Sequence, residues 1–279
     1  MKILVCGANG QLGTELVTVL SEDFEVVGVG RDILDVTDFI SVLSCVQDIK
    51  PDIIINSAAC TNVDGCETKE DLAYKVNGLG ARNLAVVAEK NNIKLLHVST
   101  DFVFDGETKD EYIEFDIPNP QSVYGKSKLA GEEFIKNHCN KYFIIRTSWL
   151  YGHNGGNFVK TMLQLAKSRE SLSVVSDQVG TPTYTKDLVE VIRMLVETEA
   201  YGIYHFSNDG KCSWNQFATR IFELTCNDIE VLGISTEDYG APAPRPKYSV
   251  MRNYMLELQF GYKARHWEDA LCDYLMINK

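Results

Sequence analysis

The chain has 279 residues, 45% of them hydrophobic and 24% charged, which predicts a globular protein of one large domain or two smaller ones. Its net charge of −12 argues against nonspecific nucleic-acid binding but does not exclude an anionic small ligand held by local positive charge. No apolar run approaches the roughly 20 residues that span a bilayer, and a strand pattern begins within two residues of Met1. We therefore expect no membrane contact, no signal peptide and a cytoplasmic location.

Strand and helix patterns alternate through the first half of the chain. The run Lys2–Cys6 is almost wholly apolar, which is typical of a strand buried on both faces. Repeated strand–helix units predict a doubly wound, Rossmann-type parallel sheet in an α/β fold. The predicted strands are 2–6, 25–29, 52–56, 94–99 and 142–147, and the predicted helices are 11–20, 38–49, a stretch ending at 90 and one opening at Tyr124.

The pattern loosens beyond residue 149. Longer loops separate the helices predicted over 157–167, 186–198, 214–224 and 267–276. We divide the chain into an NAD(P)-binding Rossmann domain, residues 1–149, and a smaller, mainly substrate-binding region, residues 150–279, partly interleaved with the first.

A glycine-rich turn joins the first strand to the first helix. Its sequence, Gly7-Ala-Asn-Gly10-Gln-Leu-Gly13, departs in spacing from the Gly-x-Gly-x-x-Gly fingerprint but occupies the same strand–turn–helix context. Glycines there allow a tight turn and a close approach to phosphate, and the helix N-terminus offers free N–H groups. The residues expected to hold a dinucleotide are Gly7, Asn9, Gly10, Gln11, Leu12 and Gly13.

The end of the second strand is expected to meet the adenosine ribose. It carries Gly30-Arg31-Asp32, where an acid favours a bare 2′-hydroxyl and an arginine accommodates a 2′-phosphate. Because an arginine and an acid stand side by side, the choice between NADH and NADPH stays open. Arg31 is also compatible with a solvated position on the surface. The position of Arg31 favours NADPH, with NADH also usable, and we place Arg31 and Asp35 among the cofactor-binding residues.

Tyr124 and Lys128 stand four residues apart in Tyr124-Gly-Lys-Ser-Lys128, so a helix brings them to one face. A free phenol has a pKa of about 10, and a neighbouring ammonium favours the phenolate and lowers that value. We predict that Tyr124 passes a proton to or from a carbonyl or alcohol oxygen. Lys128 is expected to assist it and to bind the nicotinamide ribose.

Two further segments follow strands and should line the cofactor and substrate. In Asn56-Ser-Ala-Ala59, the small residues Ala58 and Ala59 permit close approach of the cofactor. Ser99 and Thr100 end the fourth strand, where parallel sheets place ligands, and they point to opposite faces. One of the two hydroxyls is expected to donate to the substrate oxygen.

No metal site is predicted. Asp64, Asp101 and Asp105 lie on different loops without the spacing of a carboxylate site. The eight cysteines include no Cys-x-x-Cys pair, so we expect free thiols in a reducing compartment.

With these motifs in place, the chain resembles the extended short-chain dehydrogenase/reductases, and within them the dTDP-4-dehydrorhamnose reductase family. The resemblance covers nearly the whole chain. It is carried by Gly7–Gly13, Asn56–Glu67, Val98–Gly106, Tyr124–Lys128, Arg146–Gly152, Asp177–Thr183 and Arg245-Pro246.

The resemblance implies hydride transfer from NAD(P)H to C4 of dTDP-4-dehydro-L-rhamnose, a nucleotide-sugar, with Tyr as proton donor. It implies that Thr100, Tyr124 and Lys128 are catalytic, which leaves Ser99 to the cofactor. It also implies that Thr61, Val63 and Trp149 contact the sugar, although Trp149 is equally compatible with a core position.

Arg245 is a candidate for the substrate diphosphate because a guanidinium matches phosphate oxygens. A homodimer is compatible with the sequence. Two alternatives stay open: a nucleotide-sugar 4-epimerase or a reductase of another keto-sugar, and a non-catalytic regulatory subunit of the same fold.

Overall fold

The structure is a computed structural model that describes residues 1–277. Its strands are β1 (Lys2–Cys6), β2 (Glu25–Val29), β3 (Ile53–Asn56), β4 (Lys94–Thr100), β5 (Tyr142–Thr147), β6 (Leu150–Tyr151), β7 (Ser171–Val175), β8 (Val179–Gly180), β9 (Thr183–Tyr184), β10 (Gly202–His205), β11 (Cys212–Ser213) and β12 (Glu230–Ile234).

Helices connect most of these strands. They are α1 (Gln11–Leu20), α2 (Phe39–Ile49), α3 (Val63–Thr68), α4 (Glu70–Ala73), α5 (Gly80–Lys90), α6 (Val123–His138), α7 (Phe158–Leu165), α8 (Thr185–Val196), α9 (Trp214–Thr225), α10 (Thr236–Tyr239), α11 (Tyr254–Phe260) and α12 (Trp267–Ile277). A π-helical turn over Tyr74–Leu79 joins α4 to α5, and a 3-10 turn over Asp101–Val103 follows β4.

The described chain is organised around one six-stranded sheet with the order β10-β5-β4-β3-β1-β2. All five neighbouring pairs are parallel. The order reverses between β1 and β3, because β2 pairs on one side of β1 and β3 pairs on the other, as in doubly wound folds. The α/β fold with a parallel Rossmann-type sheet is confirmed.

Both faces of this sheet are covered, which explains the apolar strands. Ile3 and Val5 of β1 pack on the side of α1 and α8, whereas Leu4 and Cys6 pack on the side of α2, α5 and α6. All four side chains are at most 1% exposed. Alternate residues therefore serve two separate cores, and each fully buried aliphatic side chain contributes about 1.5–3 kcal/mol.

The second half of the chain contributes to this sheet more than the sequence pattern indicated. Strand β10 pairs with β5, and α8 packs against α1. The sequence prediction omitted β10 because four residues carry too little periodicity to be distinguished from a loop. The division at residue 149 stays a prediction, and these two elements lie beyond it.

The loop that follows β3 is short in the structure. Helix α3 begins at Val63 because the Asn62 side chain accepts a hydrogen bond from the Gly65 N–H at 2.9 Å. This is an N-cap, and it satisfies one of the first-turn donors that a helix cannot pair internally. The strands β6, β8, β9 and β11 were also not predicted, since two residues leave no period to detect.

A buried ion pair fastens α6 to the sheet. Arg146 of β5 donates to Glu132 of α6, with Nη2 2.7 Å from Oε2 and Nε 3.0 Å from Oε1. The Ser99 hydroxyl of β4 also donates to Glu132 Oε1 at 2.5 Å. Both charged side chains are at most 3% exposed, so the buried charge of each must be compensated by the other.

We expect Glu132→Ala to lower the free energy of unfolding by about 3–5 kcal/mol, because Arg146 would be left buried without its partner. The matched control is Glu133→Ala on the same helix, which removes an exposed pair with Lys136 and should cost about 0–1 kcal/mol. Urea unfolding of the two variants measures the difference. Equal losses would contradict the importance of the buried pair.

Candidate active site

Two adjoining clefts open at the carboxyl ends of the central strands. The first cleft, of about 400 Å³, is lined by Gly7, Asn9, Gly10, Gly30, Arg31, Leu34, Asp35, Val36, Thr37, Ser57, Ala58, Ala59, Cys60, Leu72 and Val76. The second cleft, of about 460 Å³, is lined by Gly10, Gln11, Leu12, Gly13, Ser57, Ala59, Thr61, Val63, Val98, Ser99, Thr100, Asp101, Phe102, Tyr124, Lys128, Thr147, Ser148, Trp149, Leu150 and Gly156.

The two clefts share Gly10, Ser57 and Ala59 and so form one groove across the sheet edge. Every residue that the sequence placed at the cofactor, the substrate or the catalytic step lines this groove, except Arg245. A groove that passes from the β2 end to the β5 end is long enough to accept an extended ligand.

The glycine turn lies at the centre of the groove. Gly13 is packed so closely that a Cβ there would stand 2.1 Å from the Gly7 carbonyl oxygen and 2.7 Å from Ala8 Cα. Any side chain would therefore push α1 away from β1. The first-turn N–H groups of α1, beginning at Gln11, face the groove end of the helix and favour an anion.

The β2 end of the first cleft carries a charged pair. Arg31 Nε lies 3.4 Å from Asp35 Oδ2, and its side chain is 76% exposed. Burial alone would raise the pKa of Asp35, but the Thr37 backbone N–H and Arg31 outweigh it and hold that pKa below its usual value. The Arg31 guanidinium is therefore accessible for a further anion.

The sequence analysis did not identify the apolar part of the first cleft. Leu34, Val36, Leu72 and Val76 lie beside the charged pair and form a surface suited to a flat base. These residues come from two segments, 34–36 and 72–76, and no local pattern marks the two segments as neighbours.

Tyr124 and Lys128 share one face of α6, as predicted. The helix begins with Ser122, whose hydroxyl accepts from the Gly125 N–H at 3.1 Å. Gly125 is required because a Cβ at this position would stand 2.2 Å from the Phe102 carbonyl oxygen. The Phe102 and Tyr124 rings meet edge to face, with centroids 5.5 Å apart. The motif thus brings both functional side chains against the end of β4.

The predicted lowering of the Tyr124 pKa is wrong for the cofactor-free protein. Burial raises that pKa well above 10, and interaction with the Thr100 hydroxyl offsets only part of the rise. Lys128 does not lower it, because its amino group is engaged by Val98 and His97 and is itself buried. Tyr124 is consequently a protonated phenol at neutral pH.

Lys128 is only 2% exposed. Its Nζ donates to the Val98 carbonyl at 2.6 Å and lies 3.2 Å from His97 Nε2. Burial lowers the pKa of Lys128 to about 8, although Glu132 acts in the opposite direction. The sequence analysis did not single out His97, whose position inside an apolar strand is typical of a core residue.

Ser99 and Thr100 point in different directions, as the strand alternation predicted. Ser99 donates to Glu132, whereas Thr100 Oγ1 donates to Asp101 Oδ1 at 3.0 Å and accepts from the Phe102 N–H at 3.2 Å. Burial raises the pKa of Asp101 to about 6. The Thr100 proton must turn away from Asp101 before it can be donated to a substrate oxygen.

Three predicted substrate residues lie at the open side of the second cleft: Thr61, Val63 and Trp149. Trp149 has a positive φ of 46° and stacks on Trp214, with ring centroids 3.6 Å apart and planes within 9°. It thus takes part in packing and also presents surface to the cleft.

Arg245 is paired with Asp64. Its Nη1 and Nη2 donate to the two carboxylate oxygens at 3.0 and 2.9 Å, and Nη1 also donates to the Ala243 carbonyl at 3.1 Å. Arg245 holds the pKa of Asp64 below its usual value. The pair joins α3 to the proline-rich segment 241–246, and a role for Arg245 at a diphosphate stays a prediction.

Within residues 1–277, no three His, Cys, Asp or Glu side chains are grouped as they would be at a metal site. In the same residues, no helix has the length and apolar character needed to cross a bilayer.

Comparison with known proteins identifies the family. The family model for the RmlD substrate binding domain matches residues 1–278. The chain is similar to the spore coat polysaccharide biosynthesis protein SpsK of Bacillus subtilis (strain 168), with 46% identity over 98% of this chain and 96% of SpsK. It is 42% identical to a dTDP-4-dehydrorhamnose reductase of Aggregatibacter actinomycetemcomitans, over 97% of both chains.

A solved structure is similarly close. The crystal structure of dTDP-4-dehydrorhamnose reductase from Bacillus anthracis str. Ames in complex with NADP is 47% identical, with a TM-score of 0.97 over 99% of each chain. The chain belongs to the RmlD family. The family predicted from the motifs is thereby confirmed.

The groove of this RmlD family member fits a nicotinamide dinucleotide. Gly10 and the start of α1 would hold the pyrophosphate, and the apolar residues of the first cleft would hold the adenine. Arg31 and Asp35 would meet the adenosine ribose. The second cleft would then receive the nicotinamide beside Tyr124 and Lys128.

We expect Gly13→Ala to weaken NADPH binding and to destabilise the protein by about 1–3 kcal/mol, because the added methyl overlaps the Gly7 carbonyl. The matched control is Gly78→Ala, where the nearest atom to the new Cβ lies at 3.7 Å. Fluorescence titration with NADPH and urea unfolding measure the two effects. If Gly13→Ala binds NADPH as tightly as the unmodified protein does, the glycine turn does not hold the cofactor.

Proposed function

We propose that this protein is an NAD(P)H-dependent reductase that converts the C4 keto group of dTDP-4-dehydro-L-rhamnose to the alcohol of dTDP-L-rhamnose. The observation that carries the proposal is the convergence of Tyr124, Lys128 and Thr100 on the cleft next to the glycine turn. Relatives named dTDP-4-dehydrorhamnose reductase over almost the whole chain support it.

NADPH supplies the hydride when bound. The chain's own residues bind and orient the keto-sugar and supply the proton. Thr100 is proposed to hold the keto oxygen, while Thr61, Val63 and Trp149 contact the sugar. The substrate enters from the side where Trp149 and the loop before α3 line the second cleft.

Tyr124 is proposed as the proton donor to that oxygen. A phenol with a raised pKa keeps its proton at neutral pH, which is the form that reduction requires. Lys128 is proposed to bind the nicotinamide ribose with an N–H group and to help position the phenol. The Tyr-x-x-x-Lys set is intact, which supports an enzyme over a non-catalytic regulatory subunit.

The reductase proposal is tested by incubating the purified protein with dTDP-4-dehydro-L-rhamnose and NADPH. One NADPH should be consumed for each dTDP-L-rhamnose formed, as followed by absorbance and chromatography of the product. Sugar inversion without net consumption of NADPH would indicate a 4-epimerase instead. Turnover only with another keto-sugar would correct the substrate.

We expect Tyr124→Phe to lower kcat by about 10²–10⁴-fold, because the proton donor is removed while the ring packing is kept. The matched control is Tyr142→Phe at the opposite end of the sheet, which should leave kcat unchanged. Steady-state kinetics under saturating NADPH measures both. An unchanged kcat in Tyr124→Phe would exclude this residue as the donor.

We expect Arg31→Ala to reduce the preference for NADPH over NADH by roughly 10–100-fold in kcat/KM, because a charge-assisted contact to the 2′-phosphate is lost. Arg169→Ala, on an exposed turn far from the first cleft, is the matched control. If NADH is preferred already in the unmodified enzyme and Arg31→Ala leaves the ratio unchanged, the assignment of Arg31 is wrong.

A homodimer and a cytoplasmic location also stay predictions. Sedimentation of the purified protein tests the first, and fractionation of cells tests the second.

A further inference from the structure

His97 lies behind Lys128 and is not among the residues that line the second cleft. It lies on β4 between Asn56 of β3 and Lys128 of α6, and it is 1% exposed. Its Nδ1 is 2.9 Å from Asn56 Nδ2, and its Nε2 is 3.2 Å from Lys128 Nζ. Both ring nitrogens are therefore engaged by side chains that reach or flank the groove.

The hydrogen-bond pattern determines which ring nitrogen carries the proton. The backbone N–H of Ala58 can only donate, and it lies 3.1 Å from Asn56 Oδ1. The Asn56 amide group therefore turns its NH₂ toward His97 and donates to Nδ1. Burial holds the pKa of His97 well below its usual value, so the ring is neutral and has one N–H. That proton must lie on Nε2, facing Lys128.

This tautomer restricts the protonation state of Lys128. An ammonium has only donors, so beside the His97 N–H it would place two donors 3.2 Å apart without an acceptor. A neutral amine removes the conflict, because its lone pair accepts from His97 Nε2–H. One of its N–H groups then donates to the Val98 carbonyl at 2.6 Å, and the other is available to the cleft.

We propose that His97 is a positioning residue whose Nε2–H favours the neutral amine form of Lys128, with one N–H group presented to the second cleft. In the cofactor-free protein, this amine form places no positive charge one helical turn from Tyr124, and the phenol keeps its proton. The assignment of tautomer and amine rests on the contacts and the burial of the His97 ring; only its catalytic consequence rests on the proposed function.

The other titratable groups around Lys128 do not provide this effect. Glu132, one turn further along α6, favours the ammonium, but its carboxylate is bound by Arg146 of β5 and Ser99 of β4. Tyr124 on α6 and Asp101 after β4 also face the second cleft. The Nε2–H group of His97, in contrast, faces Lys128 Nζ and disfavours the ammonium form of Lys128.

The first experiment is ¹⁵N NMR of the cofactor-free protein with labelled histidine and lysine, assigned with His97→Gln and Lys128→Met. We expect the His97 ring to be protonated at Nε2 and unprotonated at Nδ1. We also expect the Lys128 amine to titrate well below the pKa of about 10.4 that is usual for lysine. A His97 ring protonated at Nδ1 would overturn the proposal.

The second experiment compares His97→Gln with His138→Gln, which alters a histidine at the far end of α6. A glutamine amide at position 97 can rotate its oxygen toward Lys128 and accept from an ammonium. We expect the Lys128 pKa to rise by about 1 or more, which is a tenfold change in proton affinity, and we expect no change in the control. An unchanged Lys128 pKa in folded His97→Gln would refute the proposal.

The pH profile of kcat/KM is the matching kinetic readout. The part of the profile that depends on the ionisation of Lys128 should move to higher pH in His97→Gln and stay in place in His138→Gln. If His97→Gln does not fold, the ring tautomer of the unmodified protein decides the matter alone. Because the NMR titration uses cofactor-free protein, a lack of reductase activity would count against the proposed function without affecting this result.

Discussion

The contact between α6 and β4 is the constraint on which the candidate site depends. The sheet is covered on both faces, so polar groups at this contact have no water and must satisfy one another. Glu132 bonds to Ser99 and Arg146, and Lys128 bonds to the Val98 carbonyl and approaches His97. The same contacts that hold the helix to the sheet therefore also fix the functional side chains.

Burial at this contact moves two pKa values toward the neutral forms. It raises the pKa of Tyr124 and lowers that of Lys128. The expectation from the sequence was that an ammonium next to a phenol would favour the phenolate. Desolvation is the larger effect because Lys128 is almost wholly buried and most of the Tyr124 side chain is packed against the protein. Burial thus favours the protonated phenol of Tyr124 and the neutral amine form of Lys128.

The sequence was sufficient for the parts of the fold that have strong local patterns. Strands such as β1 and β5 were predicted to the residue because both of their faces are apolar, and the glycine turn and Tyr124–Lys128 follow from spacing. Strand β10 and the two-residue strands were missed because their pairing partners, rather than their own residues, define them. The His97–Asn56 contact and the Glu132–Arg146 pair were missed for the same reason, since each contact joins segments that are distant in the chain.

The open side of the groove is built in a different way from its floor. Single contacts between distant segments set its shape: Arg245 reaches Asp64 before the π-helical turn, and Trp149 stacks on Trp214 of α9. The Arg245–Asp64 pair is partly exposed, so it is worth much less than the buried pair beneath α6. A floor held by buried contacts and a rim held by partly exposed ones would let the rim adjust to a nucleotide-sugar while the proposed proton donor stays fixed. Sugar selectivity is then expected to depend on the rim, and the chemistry of reduction on the α6–β4 contact.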